Sequence, residues 1–165
     1  MSDILKSLIE IVGEKGVSNS DEELWYYSRD PGVLEPHRPD FVVAPKTTQE
    51  VQKIVLLANR EKIPVVPMGN GMALTGLVIP LKGGIVIDMK RMNKILEVNP
   101  LARYAVVEGG TSQGVLKAYL QKHHPLLRHS LPDAPAATTI AGNVSLLCLG
   151  RLSQQYGFNS DMVTG

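Results

Sequence analysis

The segment with the strongest chemical signal is a glycine-rich stretch at residues 64–76, PVVPMGNGMALTG. A predicted strand leads into Gly69 and Gly71, and Gly76 closes the stretch. Glycine adopts positive φ without steric penalty and lets the backbone approach a ligand closely. Successive backbone N–H groups in such a turn form a concave nest for an anion, commonly a phosphate. The stretch therefore predicts either a phosphate-binding loop or an ordinary structural turn.

Two common phosphate motifs do not describe this stretch. No Gly-Lys-Ser/Thr follows the glycines, so it is not the loop of nucleoside triphosphatases. Leu74 stands where the dinucleotide motif G-x-G-x-x-G has its third glycine. The glycines alone leave the bound anion open.

The other reactive side chains are few and scattered. The histidines, at His37, His123, His124 and His129, form no H-x-x-x-H pair or cluster with carboxylates, so we predict no metal site. Cys148 lies in an apolar run and is predicted to be a small buried side chain rather than a nucleophile.

A strand–helix–strand unit is predicted to position the glycine-rich stretch. Residues 41–44 predict a buried strand, Thr47 and Glu50 form a capping box at the start of a helix, and residues 63–67 predict the next strand. This order favours parallel pairing with a right-handed crossover. The predicted core consists of Val42, Val43, Val51, Ile54, Val55, Val65 and Val66.

The segments on either side complete the predicted fold. Before the unit, residues 2–14 predict a helix, and residues 21–28 predict one or two helical turns whose aromatic side chains pack in the core. After it, residues 85–88, 95–98 and 104–108 predict strands, the last two joined as an antiparallel hairpin. A helix is predicted over residues 112–122.

We therefore predict an α+β fold with a small parallel βαβ lobe followed by an antiparallel-sheet lobe with flanking helices. Residues 1–38 form an N-terminal helical segment and residues 39–165 a second domain, with the parallel lobe at 39–80 and a partial antiparallel lobe at 81–165. Nothing resembling a terminating element precedes the last residues, so this lobe is predicted to be incomplete at its C-terminus.

Composition argues against several classes of partner. The 165 residues carry 17 Lys and Arg against 16 Asp and Glu, for a net charge of +1, which gives no electrostatic case for nucleic acid. The single cysteine excludes an intrachain disulfide. Acidic residues interrupt the apolar N-terminus, so we predict no secretory signal, no membrane span and a cytoplasmic location.

Further segments on both sides of the glycine-rich stretch occur in a characteristic order. They are PDFVVAP with TTQEV at 39–51, GGIVID at 83–88 with RMN at 91–93, AVVEGG at 105–110, TIAGNV at 139–144, and YG with DMVTG at 156–165. This series resembles the FAD-binding domain of the vanillyl-alcohol oxidase / p-cresol methylhydroxylase superfamily. Within it, the likeness is greatest to the branch of D-lactate dehydrogenase and the glycolate oxidase FAD subunit.

The resemblance implies an FAD site and makes residues 39–165 an FAD-binding domain. Backbone amides would wrap the FAD pyrophosphate, with Thr75 as a nearby hydroxyl donor; these residues are Met68, Gly69, Asn70, Gly71, Met72 and Ala73. Residues approaching the flavin from the second lobe would be Pro132, Asp133, Thr139, Gly142 and Asn143. For Thr139 and Asn143 the alternative is ordinary turn hydrogen bonding.

Several residues depart from the family pattern. Met72 stands where the family often has threonine, Gly109 replaces a usual proline, and apolar residues occupy 146–149 where small and polar ones are usual. Flavin contact is therefore expected at 139–143 rather than at 145–149. Some family members attach FAD through a histidine at the phosphate loop; none lies there in this chain, so we predict noncovalent FAD.

The resemblance implies hydride transfer to FAD from a 2-hydroxy acid of the D-lactate or glycolate type. The substrate domain that carries the catalytic base lies further along in the family, so we assign no catalytic residue. The expected partners are FAD and a C-terminal substrate domain or partner subunit, with self-association also expected. The alternative is a non-catalytic binding module or fragment that keeps the fold without tight flavin binding.

Overall fold

The computed structural model describes residues 3–128, 134–150 and 153–165. These residues form two compact units, the first ending at Arg91 and the second beginning at Met92. No helix within the described ranges is long and apolar enough to cross a membrane.

The described α-helices of the first unit are α1 (Asp3–Val12), α2 (Asp21–Tyr26) and α3 (Thr48–Glu61). Side chains cap the start of two of them, Ser20 at α2 and Thr47 at α3. At α3, the Thr47 hydroxyl accepts a hydrogen bond from the Glu50 backbone N–H at 3.2 Å, as the capping box predicts. The Glu50 carboxylate accepts from the Lys46 N–H at 2.6 Å, one residue before the position that the motif predicts.

The first unit contains a four-stranded sheet in the order β1-β2-β4-β3. The strands are β1 (Val17–Ser18), β2 (Phe41–Val43), β3 (Val65–Met68) and β4 (Ile85–Asp88). β2 and β3 both run parallel to β4, while β1 joins the edge antiparallel to β2.

Two features of this sheet differ from the sequence prediction. We predicted that residues 85–88 belong to an antiparallel lobe beginning after residue 80, but β4 lies between β2 and β3 in the parallel sheet. The side chains of β4 are buried throughout, which is typical of a parallel strand covered on both faces. The edge strand β1 was not predicted at all, since its length is only 2 residues.

Apolar clusters cover both faces of the sheet. On one face, Leu8 of α1 and Ile54 of α3 are fully buried, together with Leu57 and Ala58. On the other, Tyr27 packs with residues of β2, β3 and β4. Val55 was predicted to be in the core, but its side chain is 39% exposed. Trp25 and Tyr26 are exposed as well, so only Tyr27 takes the predicted core position.

The second unit opens with the predicted antiparallel hairpin of β5 (Ile95–Asn99) and β6 (Tyr104–Val107). At its turn, the Asn99 side-chain oxygen accepts from the N–H groups of Leu101 and Ala102, at 3.1 and 2.9 Å. The described α-helices that follow are α4 (Gln113–His123), α5 (Ile140–Ser145) and α6 (Ser153–Tyr156). α4 begins one residue after the predicted start.

Candidate functional site

The glycine-rich loop begins at the carboxyl end of the parallel sheet. β3 ends at Met68, which pairs in register with Asp88, the last residue of β4. The Met68 side chain is buried in the core, so this residue offers only its backbone to a ligand. In open parallel sheets, ligands bind beyond the carboxyl ends of the strands. The loop therefore starts at the edge of the sheet where a binding site is expected.

The backbone of this loop presents unused hydrogen-bond donors. Within the described part of the chain, the N–H groups from Gly71 to Thr75 donate to no other group, whereas the N–H of Gly76 donates to Asp30 at 2.8 Å. Gly71 has φ +63°, a conformation that other residues adopt only with strain. A row of free amides with a positive-φ glycine at its start is suited to hold an anion.

The side chains of the loop add no charge of their own. Met72 is 37% exposed and Leu74 is 67% exposed, and the Thr75 side chain is also exposed. Residues 68–76 contain neither an acidic nor a basic residue. Recognition of an anion by this loop would therefore depend on backbone N–H groups, with the Thr75 hydroxyl as an exposed side-chain donor.

A buried polar cluster that the sequence did not predict lies at the same edge of the sheet. The Tyr27 hydroxyl donates to the Asp88 carboxylate, and the Lys90 ammonium donates to the Tyr27 hydroxyl at 3.0 Å. Lys90 also forms an ion pair with Asp88 at 3.2 Å. The adjacent aromatic residues at 25–27 were the only sequence signal for this cluster, because Asp88 and Lys90 are distant from them along the chain.

The cluster changes the acidity of its members. Burial raises the pKa of Tyr27 from 10.0 to about 12, and the hydrogen bond to Asp88 acts in the same direction. Burial alone would lower the pKa of Lys90, but its hydrogen bond to Tyr27 and the charge of Asp88 outweigh it and raise this pKa. Tyr27 therefore stays protonated and Lys90 stays charged at neutral pH.

The other predicted site residues belong to the second unit. Thr139 is the N-cap of α5, and its hydroxyl accepts from the Gly142 N–H at 3.3 Å. A Cβ on Gly142 would lie 2.8 Å from that hydroxyl, so the cap favours glycine at this position. Pro132 and Asp133, the remaining predicted residues, lie outside the described residues.

Asn143 differs from Thr139 because its side chain remains incompletely paired. It is 1% exposed, and its Oδ1 has no hydrogen-bond partner among the described residues. The amide of Gln113, in the first turn of α4, is likewise buried and unpaired within the described ranges. Buried polar atoms normally have a partner. Capping explains Thr139, whereas Asn143 retains capacity to bind another group.

No group of His, Cys, Asp and Glu within the described residues could hold a metal ion, and the predicted lack of a metal site stays a prediction. Burial raises the pKa of the half-buried Cys148 thiol, which favours the unreactive protonated form.

Comparison with known proteins decides the family. A family model described as FAD binding domain matches residues 39–165. The chain belongs to this FAD-binding family. The match includes both the glycine-rich loop and the α5 segment, which lie in different units of the structure.

The curated relatives that the chain matches are longer proteins. Glycolate oxidase subunit GlcD of Bacillus subtilis is 30% identical over 99% of the chain, which covers 34% of that protein. The mitochondrial D-lactate dehydrogenase (cytochrome) of Arabidopsis thaliana is 29% identical over 96% of the chain, which covers 28% of it. The chain thus spans about a third of the length of these relatives.

Solved structures confirm the predicted α+β fold of the p-cresol methylhydroxylase type. A crystal structure of p-cresol methylhydroxylase with bound substrate matches 89% of the chain and 29% of its own, with a TM-score of 0.78 and 27% identity. An alkyldihydroxyacetonephosphate synthase matches 99% of the chain and 32% of its own, with a TM-score of 0.87. At 23% identity, the latter likeness concerns the fold alone.

Proposed function

We propose that the chain is the FAD-binding part of an oxidoreductase that acts on a 2-hydroxy acid of the D-lactate or glycolate type. The names of the relatives GlcD and D-lactate dehydrogenase support this substrate class. FAD supplies the hydride acceptor when it is bound, and this chain supplies binding and orientation. We assign no catalytic base to it. Its cytoplasmic location remains a prediction.

The row of free amides from Gly71 to Thr75 is the observation that supports this function most directly. The FAD pyrophosphate is a dianion, and backbone N–H groups can approach it closely where no side chain intervenes. The absence of acidic residues from positions 68–76 means that no carboxylate of the loop repels it. We propose that Gly69, Asn70 and the amides from Gly71 onward bind the pyrophosphate.

We further propose that the α5 segment of the second unit contacts the flavin portion of FAD. The buried, unpaired Oδ1 of Asn143 supports this assignment, because a buried acceptor requires a donor. Gly142 and Thr139 shape the turn that presents Asn143. Pro132 and Asp133 remain proposals from the family resemblance. Binding is proposed to be noncovalent, since residues 68–76 contain no histidine.

The Gly71→Val substitution tests the pyrophosphate assignment. At φ +63°, valine would distort the backbone from which the amides project, although its Cβ would meet nothing closer than the Met68 sulfur at 3.5 Å. We expect this substitution to abolish FAD binding, which is measured by the quenching of flavin fluorescence in a titration with FAD. The far-ultraviolet circular dichroism spectrum should be retained, since the fold does not depend on this position.

Gly13→Val is the matched control for backbone strain. Gly13 has φ +77°, lies outside the loop, and has open space around its Cβ position. The control should suffer a similar loss of stability and still bind FAD like the wild type. Equal FAD affinity in Gly71→Val and wild type would place the pyrophosphate elsewhere.

A second candidate function is a binding module that keeps the fold without useful flavin affinity. The exposure of Met72, Leu147 and Leu149 favours it, because apolar side chains stand where the family usually has small or polar ones. The same titration separates the candidates. Saturable quenching that depends on Gly71 supports the flavoprotein, and no quenching at any FAD concentration supports the module.

A further inference from the structure

A short segment before β2 lies directly behind the glycine-rich loop. Within it, the Asp30 carboxylate is 9% exposed and accepts two backbone hydrogen bonds. One comes from the Gly32 N–H at 2.9 Å and closes a local turn. The other comes from the Gly76 N–H at 2.8 Å and joins positions 46 residues apart. This second bond fixes the end of the loop at the point where the free amides stop.

Close packing reinforces this connection. A Cβ on Gly32 would lie 2.6 Å from the carbonyl oxygen of Leu74, inside the row of free amides. A Cβ on Gly76, where φ is +77°, would collide with the Leu34 side chain. Gly32 thus allows the two backbones to touch, and Gly76 leaves room for the Leu34 side chain against the loop.

We propose that Asp30 is a positioning residue that holds the Gly71–Thr75 amides in the arrangement that binds the FAD pyrophosphate. This inference rests on the proposed function, since it concerns the same loop. A glycine-rich loop has high conformational entropy, and fixing it before binding removes that cost from the binding free energy. Asp30 restrains the end of the loop through the hydrogen bond that it accepts from the Gly76 N–H.

The charge of Asp30 is compatible with this role. A carboxylate beside a pyrophosphate would repel it, but both Asp30 oxygens accept from backbone N–H groups and the residue is buried. Charge-assisted hydrogen bonds of this kind are stronger than neutral ones. An amide in place of the carboxylate keeps the size but cannot accept both bonds, because its NH₂ group is a donor.

The test compares Asp30→Asn with Asp21→Asn by titration with FAD and with riboflavin, which lacks the pyrophosphate. Asp21 is an exposed carboxylate of the same unit, hydrogen-bonded to Arg38 at 3.0 Å. We expect Asp30→Asn to weaken FAD binding about tenfold, as the loss of a hydrogen bond to a charged group predicts. Riboflavin binding should not change, and Asp21→Asn should match the wild type with both ligands.

Amide hydrogen exchange supplies a readout that does not depend on FAD. In Asp30→Asn, exchange at Gly76 should accelerate while exchange in β3 and β4 stays at the wild-type rate. Should Asp30→Asn fail to fold, Asp30→Glu retains the charge and moves it, and the same FAD-specific loss is expected.

The outcomes separate this inference from the proposed function. Loss of FAD binding in Gly71→Val but not in Asp30→Asn would overturn the positioning role and leave the pyrophosphate site intact. Unchanged FAD binding in both would overturn the site and the positioning role together. Equal weakening of FAD and riboflavin by Asp30→Asn would indicate a general structural role and contradict the inference.

Discussion

Among single residues, Tyr27 connects the N-terminal segment to the sheet through its phenol. The ring packs in the apolar cluster beside β2 and β4, while the hydroxyl reaches Asp88 and Lys90. A buried Tyr needs such a partner for its hydroxyl, and the buried carboxylate of Asp88 needs donors. Each group therefore satisfies the others at the edge of the sheet where the glycine-rich loop begins.

This arrangement predicts that the stabilisation contributed by Tyr27 is lost at alkaline pH. The folded pKa of Tyr27, about 12, lies above the ordinary 10.0 of the unfolded chain. Its contribution is fully present below pH 10 and is lost towards pH 12, because the unfolded state releases its proton first. We expect the difference in urea midpoint between wild type and Tyr27→Phe to shrink across this range.

Tyr26→Phe is the matched control for this measurement. The Tyr26 side chain is 65% exposed, so its variant should follow the wild-type pH profile. A wild-type advantage over Tyr27→Phe that stays constant up to pH 12 would contradict the role assigned to the buried phenol.

Among the elements, α3 provides the clearest test of the core. Ile54 is fully buried between α3 and the sheet, whereas its neighbour Val55 is 39% exposed. We expect Ile54→Ala to lower the free energy of unfolding by about 2–5 kcal/mol through the cavity that it leaves. Val55→Ala should cost less than about 1 kcal/mol, as surface substitutions do. Chemical denaturation of both variants would measure this, and equal losses would refute the packing.

Local signals predicted most elements but not their long-range partners. The cap at Thr47 and the alternating runs of β5 and β6 predicted α3 and the hairpin because these features act over a few residues. The position of β4 between β2 and β3 depends on partners far along the chain, which periodicity does not specify. Val55 was misplaced for a related reason, since the sheet selects which side of α3 is buried.

In the candidate site too, local sequence predicted the loop but not its long-range contact. Glycines after a strand predicted the loop, and the structure adds the free amides from Gly71 to Thr75. The contact between Asp30 and Gly76 could not be predicted, because Asp30 followed by Pro-Gly is the ordinary signature of a turn. Its second hydrogen bond exists only once the two segments meet in the fold.

At the scale of the whole molecule, the hairpin of the second unit presents unpaired strand edges and exposed apolar side chains. β5 and β6 form a two-stranded sheet, and such a sheet is marginally stable by itself. Leu96, Tyr104 and Val106 are 59%, 40% and 42% exposed on it. Unpaired strand edges with exposed apolar side chains favour pairing with another chain. We therefore expect this sheet to pair with a further strand, whichever chain supplies it.

The last prediction rests on two observations: the exposed hairpin, and the fact that the chain spans about a third of the length of its relatives. We expect the 165-residue chain alone to self-associate, to purify without stoichiometric FAD, and to turn over neither D-lactate nor glycolate. Tight binding requires a site that encloses most of the ligand, and hydride transfer requires exclusion of water from the flavin. Light scattering, flavin absorbance and a dye-reduction assay measure these properties. A yellow, monomeric and active preparation would refute the prediction, because it would mean that these residues alone enclose the flavin and supply a base.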